Sequence, residues 1–263
     1  MNGFNIGRFL FLPGRKVFGI LVVAELDPMV LKEISDLGLK HKVLVPTIQY
    51  NLVEGGKIIG LGFVDLTDAN ISIDEFAEKI RSIKGVKSVR IIHPTTEGFV
   101  ADDLSVRLLL AGERAIILRR PGYEGFIVGI RERFGTAGEA FLYHTGYQAG
   151  IRYGRVHQDL ASRLGIKDPI QIIHKLGVPT YASIGLGKLE IVEASPAFCR
   201  LIIRAYENFE CELGIGSKKP YSNFVRGVFA GFIAQLFGKQ MKAEELKCIA
   251  KGDPYCEFEI TPE

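Results

Sequence analysis

The chain has no tryptophan, three methionines and four cysteines among its 263 residues, and no long uninterrupted apolar run. Four Cys are too few for a disulfide framework at this size, which points to a reducing compartment and makes their spacing the thing to examine. The most apolar helical stretch, 224–237, carries Arg226 and Gln235 and falls short of the roughly 20 residues that span a bilayer. The opening stretch is broken by Pro13-Gly14-Arg15-Lys16 and lacks a basic start and a small-residue cleavage site, so it reads as strands and not as a targeting segment. A cytoplasmic protein with no membrane attachment is the expectation. Charge of one sign is scarce too: 33 Lys+Arg stand against 30 Asp+Glu, a net +3. That leaves no basic excess for phosphate backbones, and direct nucleic-acid binding is not expected.

What the chain does have is a hydrophobic fraction of 47% and 30 glycines scattered through apolar segments, a composition that folds and packs backbones closely. Residues 16–94 read as strand, helix, strand, strand, helix, strand. Asp27-Pro28 supplies an N-cap and a first-turn proline for a helix over 29–37 that Gly38 should end. Glu54-Gly55-Gly56 is a hairpin signal between two β-rich runs. In 72–83, Ile73, Phe76, Ala77 and Ile80 recur at helical spacing behind Asp74 and Glu75. The order βαββαβ predicts a ferredoxin-like domain over 1–94. This segment resembles the ACT family of regulatory domains. The resemblance implies an amino-acid site at the turn between first strand and first helix, where Asp27-Pro28-Met29 stands, and pairing through sheets.

A polar stretch at 95–103 reads as a linker, and 104–263 as a second domain of α+β class, an antiparallel sheet packed by long helices. It is expected to open with strands at 106–110 and 115–118, continue with helices over 123–134 and 138–164 and a short helix over 169–176, turn to β over 181–214, and end with a helix over 221–237 and a two-stranded hairpin. Gly146, Gly150 and Gly154 lie four apart on the long helix, and Gly227 and Gly231 on the last one, so each helix offers a side-chain-free stripe for close packing.

The run 221–260 contains Arg226-Gly227, Gly231, Glu245, Cys248, Gly252-Asp253, Cys256 and Phe258. Upstream stand Gly146-Tyr147-Gln148-Ala149-Gly150 and Gly185-Leu186-Gly187 followed by 189–192. These motifs closely resemble the 4-vinyl reductase domain family over roughly 104–263. The resemblance implies a pocket for a small apolar or aromatic molecule and a tendency to form homodimers. It also implies a zinc site of one Glu and three Cys. Glu245, Cys248 and Cys256 match three of those ligand positions, and Ser222 stands at the fourth; Cys211, placed on a preceding strand, substitutes only if the fold brings it near. Candidate pocket residues are Tyr143, Tyr147, His174, Phe224 and Phe229. Phenol-sensing members orient their ligand with a Trp, which this chain lacks, so phenol itself is not the expected ligand.

Chemistry beyond binding is not visible. Gly60-Leu61-Gly62 lacks the third glycine of a dinucleotide fingerprint, and no phosphate loop, serine elbow or His-Glu-x-x-His motif occurs. Glu244 and Glu245 are adjacent in a strand and must face opposite ways. The expected function is a ligand-sensing regulator whose ACT-like domain couples or relays a signal. The alternatives are an assembly subunit with a protein partner, like the vesicle-tethering proteins, and an accessory to vinyl reduction in tetrapyrrole synthesis.

Overall fold

A computed structural model describes residues 4–195 and 199–263. The chain separates into two compact units, Met1–Ile116 and Ile117–Glu263.

The first unit contains β1 (Phe9–Phe11), β2 (Val17–Glu25), α1 (Pro28–Lys40), β3 (Leu44–Val53), β4 (Lys57–Asp65), α2 (Ile73–Arg81), β5 (Val86–Ile92), β6 (Phe99–Ala101), β7 (Leu108–Leu110) and β8 (Glu113–Ala115). Its main sheet runs β3-β4-β2-β5, antiparallel throughout, the ferredoxin-like order. Local signals set its corners. The Asp27 carboxylate accepts the Met29 amide at 2.8 Å to start α1, and Ser72 Oγ accepts the Glu75 amide at 3.2 Å to start α2. Gly55 and Gly56 take φ of +78° and +66° in the β3–β4 hairpin, a twist that suits antiparallel strands and that side-chain-bearing residues resist. Phe76, Ala77 and Ile80 of α2 bury against Ile20, Val64 and Val89 on one sheet face. Phe63 and Leu61 bury on the other face beside Val17, Ile92 and Val100. Each such side chain contributes about 1.5–3 kcal/mol when fully removed from water.

Two expectations for this unit differ from the structure. Gly38 does not end α1, which runs to Lys40, because the amide of His41 still reaches the Leu37 carbonyl. Nor is 95–103 an extended linker: it contains β6, which pairs with β1 in the register Phe9↔Ala101, and Asp102, which pairs with Arg8 and accepts the amides of Leu104 and Ser105. The β7–β8 hairpin likewise belongs to the first unit rather than opening the second.

The second unit contains α3 (Arg120–Arg163), α4 (Pro169–Ile172), a π-helical turn at Ile173–Gly177, α5 (Val178–Ser183), β9 (Lys188–Ser195), β10 (Arg200–Tyr206), α6 (Phe209–Glu212), α7 (Asn223–Phe237), β11 (Met241–Lys247) and β12 (Cys256–Pro262). α3 is kinked at Gly135, whose φ of 54° and ψ of −131° leave the helical region, at the point where the sequence pattern separates two helices. The region 181–214 is less β-rich than its pattern suggests, since Tyr181 ends up in α5 and Cys211 in α6. The sheet runs β11-β12-β10-β9 and is antiparallel. Its inner face carries Leu201, Ile203, Phe258, Ile260 and Met241, packed with Val225, Phe229, Ala230 and Ile233 of α7. Its outer face carries an ion-pair ladder, Glu193–Arg200–Glu259 and Arg204–Glu257–Lys247.

α3 and α7 interlock through their glycines. A Cβ at Gly146 would stand 2.1 Å from the Phe224 carbonyl oxygen, at Gly150 2.2 Å from that of Val228, at Gly227 2.1 Å from that of Tyr143, and at Gly231 2.0 Å from that of Tyr147. No side chain fits in those gaps, so both stripes are required by backbone approach.

Candidate functional site

Alternation along β11 turns Met241, Ala243 and Glu245 inward and Lys242, Glu244 and Leu246 outward. A bulge between Glu245 and Lys247 ends the regular pairing with β12. Cys248 follows, its amide held by Asp253 at 2.8 Å across a tight turn that closes at Gly252, φ +96°. Cys256 opens β12 on the far side of that turn. From elsewhere in the chain comes Cys211, on α6 after β10. The ligand atoms of Cys211, Glu245, Cys248 and Cys256 all lie within 4.8 Å of one another, and all four residues are buried. Cys248 Sγ is 3.5 Å from Cys211 Sγ, and Cys211 Sγ is 3.4 Å from Glu245 Oε1. Sulfurs around a tetrahedral zinc, with Zn–S near 2.3 Å, sit about 3.8 Å apart, so this cluster fits a zinc ion with little adjustment.

The electrostatics agree with that fit. Hydrogen bonds from Cys211 and Cys256 pull the Cys248 thiol well below its ordinary range, making it the favoured thiolate. The same contact with Cys248, followed by burial, pushes Cys211 up. Burial, with the Cys248 charge behind it, raises Glu245 to about 8. Four acidic donors thus compete to stay protonated in one buried place, a conflict that a divalent cation removes.

A polar frame supports the cluster. The Ser222 amide donates to Glu245 Oε2 at 2.9 Å, and Asn208 Nδ2 donates to Ser222 Oγ at 3.3 Å and to Cys211 Sγ at 3.5 Å. Glu210, fully buried, accepts the amides of Asn223, Phe224 and Val225 at 2.9, 3.0 and 2.7 Å, and so caps the first turn of α7. Burial raises its pKa; those amides and Arg131, 3.1 Å away and stacked over the Tyr221 ring at 3.8 Å, offset part of that rise.

Beside this frame lies an aromatic interior. Phe229 sits between Tyr181, at 5.6 Å, and Phe258, at 5.1 Å, while Tyr123 stacks on Phe209 at 5.1 Å. The hydroxyls of Tyr123 and Tyr181 and the Oδ1 of Asn208 are buried and have no hydrogen-bond partner among the described residues. Burial pushes both phenols up; the Glu210 charge adds to each, and Tyr123 itself adds to the shift at Tyr181. A buried hydroxyl without a partner costs about 1–3 kcal/mol.

Residues 201–262 match the 4-vinyl reductase domain family. That span runs from β10 to β12 and holds all four members of the candidate metal cluster. It lies inside 104–263, the stretch whose motifs carry the resemblance. An uncharacterized protein of Methanocaldococcus jannaschii is 25% identical over 133 residues, 51% of this chain and 70% of that protein. The phenol-responsive sensory domain of the transcription activator PoxR, solved with phenol, is similar in fold with a TM-score of 0.52 and 16% identity, over 59% of this chain and 79% of that one. An ACT domain from the GTP pyrophosphokinase of Chlorobium tepidum aligns with 30% of this chain and 99% of its own length, at 20% identity and a TM-score of 0.25.

Of the residues singled out in the sequence of the second unit, Glu245, Cys248 and Cys256 come together. Ser222 is buried next to them but serves Glu245 through its amide, and Cys211 takes up the fourth corner from a short helix rather than a strand. Phe229 is buried in the aromatic interior, and Phe224 is half-buried, edge-on to Phe126 at 6.1 Å. Tyr143 and Tyr147 are half-buried on α3, Tyr143 with the Arg226 guanidinium over its ring at 4.9 Å, and His174 is exposed on the π-helical turn. Sequence reasoning missed Tyr123, Tyr181 and Glu210. The Glu210-Cys211 pair was the available signal, an acid and a thiol in an otherwise apolar neighbourhood. Nothing in the sequence distinguishes Tyr123 or Tyr181 from ordinary core aromatics. Among the described residues, no helix is long and apolar enough to cross a membrane.

Proposed function

We propose that the second unit is a ligand-sensing module that takes a small, uncharged, largely apolar or aromatic molecule carrying one or two hydrogen-bonding groups. The observation behind this reading is the pair of buried, partnerless hydroxyls on Tyr123 and Tyr181 beside an equally partnerless Asn208 oxygen. Phe224 and Phe229, two of the five pocket residues expected from sequence, serve as its walls. The fold shared with a domain that senses phenol supports the assignment, and the absence of Trp argues for a different ligand from that domain's. The Cys211–Glu245–Cys248–Cys256 cluster holds a structural zinc ion, which would tie α6 and the β11–β12 hairpin together and, through the Ser222 amide, fix the start of α7. The ferredoxin-like unit relays or receives a second signal, and the protein acts in the cytoplasm as a homodimer.

Native mass spectrometry of protein purified from its own source is expected to show a bound small molecule that Tyr181→Phe weakens or loses. Unbound protein in both cases, with no thermal shift across a panel of neutral aromatic metabolites, would remove the sensing assignment.

A further inference from the structure

The second set of glycines in this chain behaves differently from the interlocked pair. Gly60 and Gly62 sit two apart on β4, facing the helices in line with Ile58 and Val64. Neither takes a positive φ, so the backbone does not require them. A Cβ at either would meet nothing closer than 3.8 Å, so no backbone approaches there either. Glycine inside a strand weakens it and commonly marks close approach by another backbone or by a ligand. With the first two reasons absent, the missing side chains leave space: a cleft of about 390 Å³ between α1 and the β3-β4-β2 face. That volume lies in the range of small-molecule sites.

The cleft is closed at the bottom by Ala24, Ile58 and Phe76, exposed by 0%, 3% and 2%, and no charged side chain lines it. At its mouth stand Leu39, Ile48 and Tyr50, exposed by 77%, 59% and 56%, an apolar rim that water covers poorly. Ser35 and Tyr50 are the two lining residues with hydroxyls, both at the open side. A second copy of the chain pairing along the β3 edge would lie beside this space without entering it, and Pro46 with the register break between Leu44 and Thr47 interrupts that edge. We propose that this cleft binds a small, neutral, predominantly apolar molecule, whose one polar group points outward to Ser35 and Tyr50. This site is separate from the one proposed in the second unit and does not depend on it.

The test is a methyl NMR titration of the full chain with 1-hexanol. Saturable shifts at Ile34 and Ile58, weakened about tenfold or more by Gly62→Leu with methyl dispersion intact, are expected. Should Gly62→Leu lose its dispersion, Gly60→Ala replaces it and must weaken binding in the same direction. Three results would overturn the proposal: no shift at Ile34 and Ile58, equal affinity in the filled variant, or a sedimentation shift to a dimer that 1-hexanol leaves unchanged while those methyls stay silent. Shifts confined to Ile203 and Ile233 would also overturn it while leaving the sensing assignment of the second unit standing.

Discussion

His157 illustrates how one side chain sets a pH limit. It is buried on α3, its Nδ1 2.8 Å from the Tyr153 carbonyl, its ring edge-on to Phe232 at 5.0 Å, and its Nε2 has no partner among the described residues. Burial lowers its pKa, against a smaller opposing effect of the Tyr153 bond. A base with a lowered folded pKa leaves the unfolded chain to take up the proton first, so its contribution is intact above the unfolded value near 6.5 and falls as pH drops below it. The melting temperature should decline between about pH 7.5 and 5.5, and His157→Phe should flatten that decline. An equal decline in the variant would assign it to other groups. Cys211 is the other decisive residue. Cys211→Ser should empty the metal site in elemental analysis of freshly purified protein, whereas Ser222→Ala should retain one zinc per chain, because position 222 acts through its amide. Retention of zinc in Cys211→Ser would mean that three ligands suffice. Sequence alone leaves this open: Glu245, Cys248 and Cys256 are linked by one hairpin and legible as a set, but Cys211 arrives only once α6 is packed in three dimensions.

Elements whose signals are local are readable in the sequence. Asp27-Pro28 starts α1, Ser72 starts α2 and Gly55-Gly56 turns the β3–β4 hairpin, because each depends on its own backbone and a neighbour or two. The boundary of the first unit is not readable in that way. The polar run 95–103 looks like a tether, yet β6 finds β1 some ninety residues earlier, a pairing that short-range pattern cannot contain. The glycine stripes are legible as period-four gaps, but not which helix fills them. Their reciprocal fit makes a strong prediction. Gly→Ala in a helix interior ordinarily gains about 0.5–1 kcal/mol, but at Gly150 or Gly231 a methyl would meet a carbonyl oxygen near 2 Å. The overpacking cost of about 1–3 kcal/mol or more should dominate, so Gly150→Ala and Gly231→Ala both lower stability in chemical denaturation. Stabilisation in either variant would show that the two helices separate readily.

At the scale of the whole molecule, two cores with no buried residue in common stand in one chain, and only the second contains the metal cluster. Chelation should therefore act unevenly. Hydrogen exchange after treatment with a zinc chelator is expected to speed up in α7 and the β11–β12 hairpin while α2 and β2 keep their protection; uniform loss would contradict a purely local role for the ion. The interlocked helices add a mechanical consequence. Side chains normally cushion helix contacts, changing rotamer to absorb a displacement of a few tenths of an ångström. α3 and α7 touch backbone to backbone at Gly146, Gly150, Gly227 and Gly231, where no rotamer exists. A push on the first turn of α7, whose amides Glu210 grips, is therefore not damped between the two helices: they move as one stiff lever or not at all.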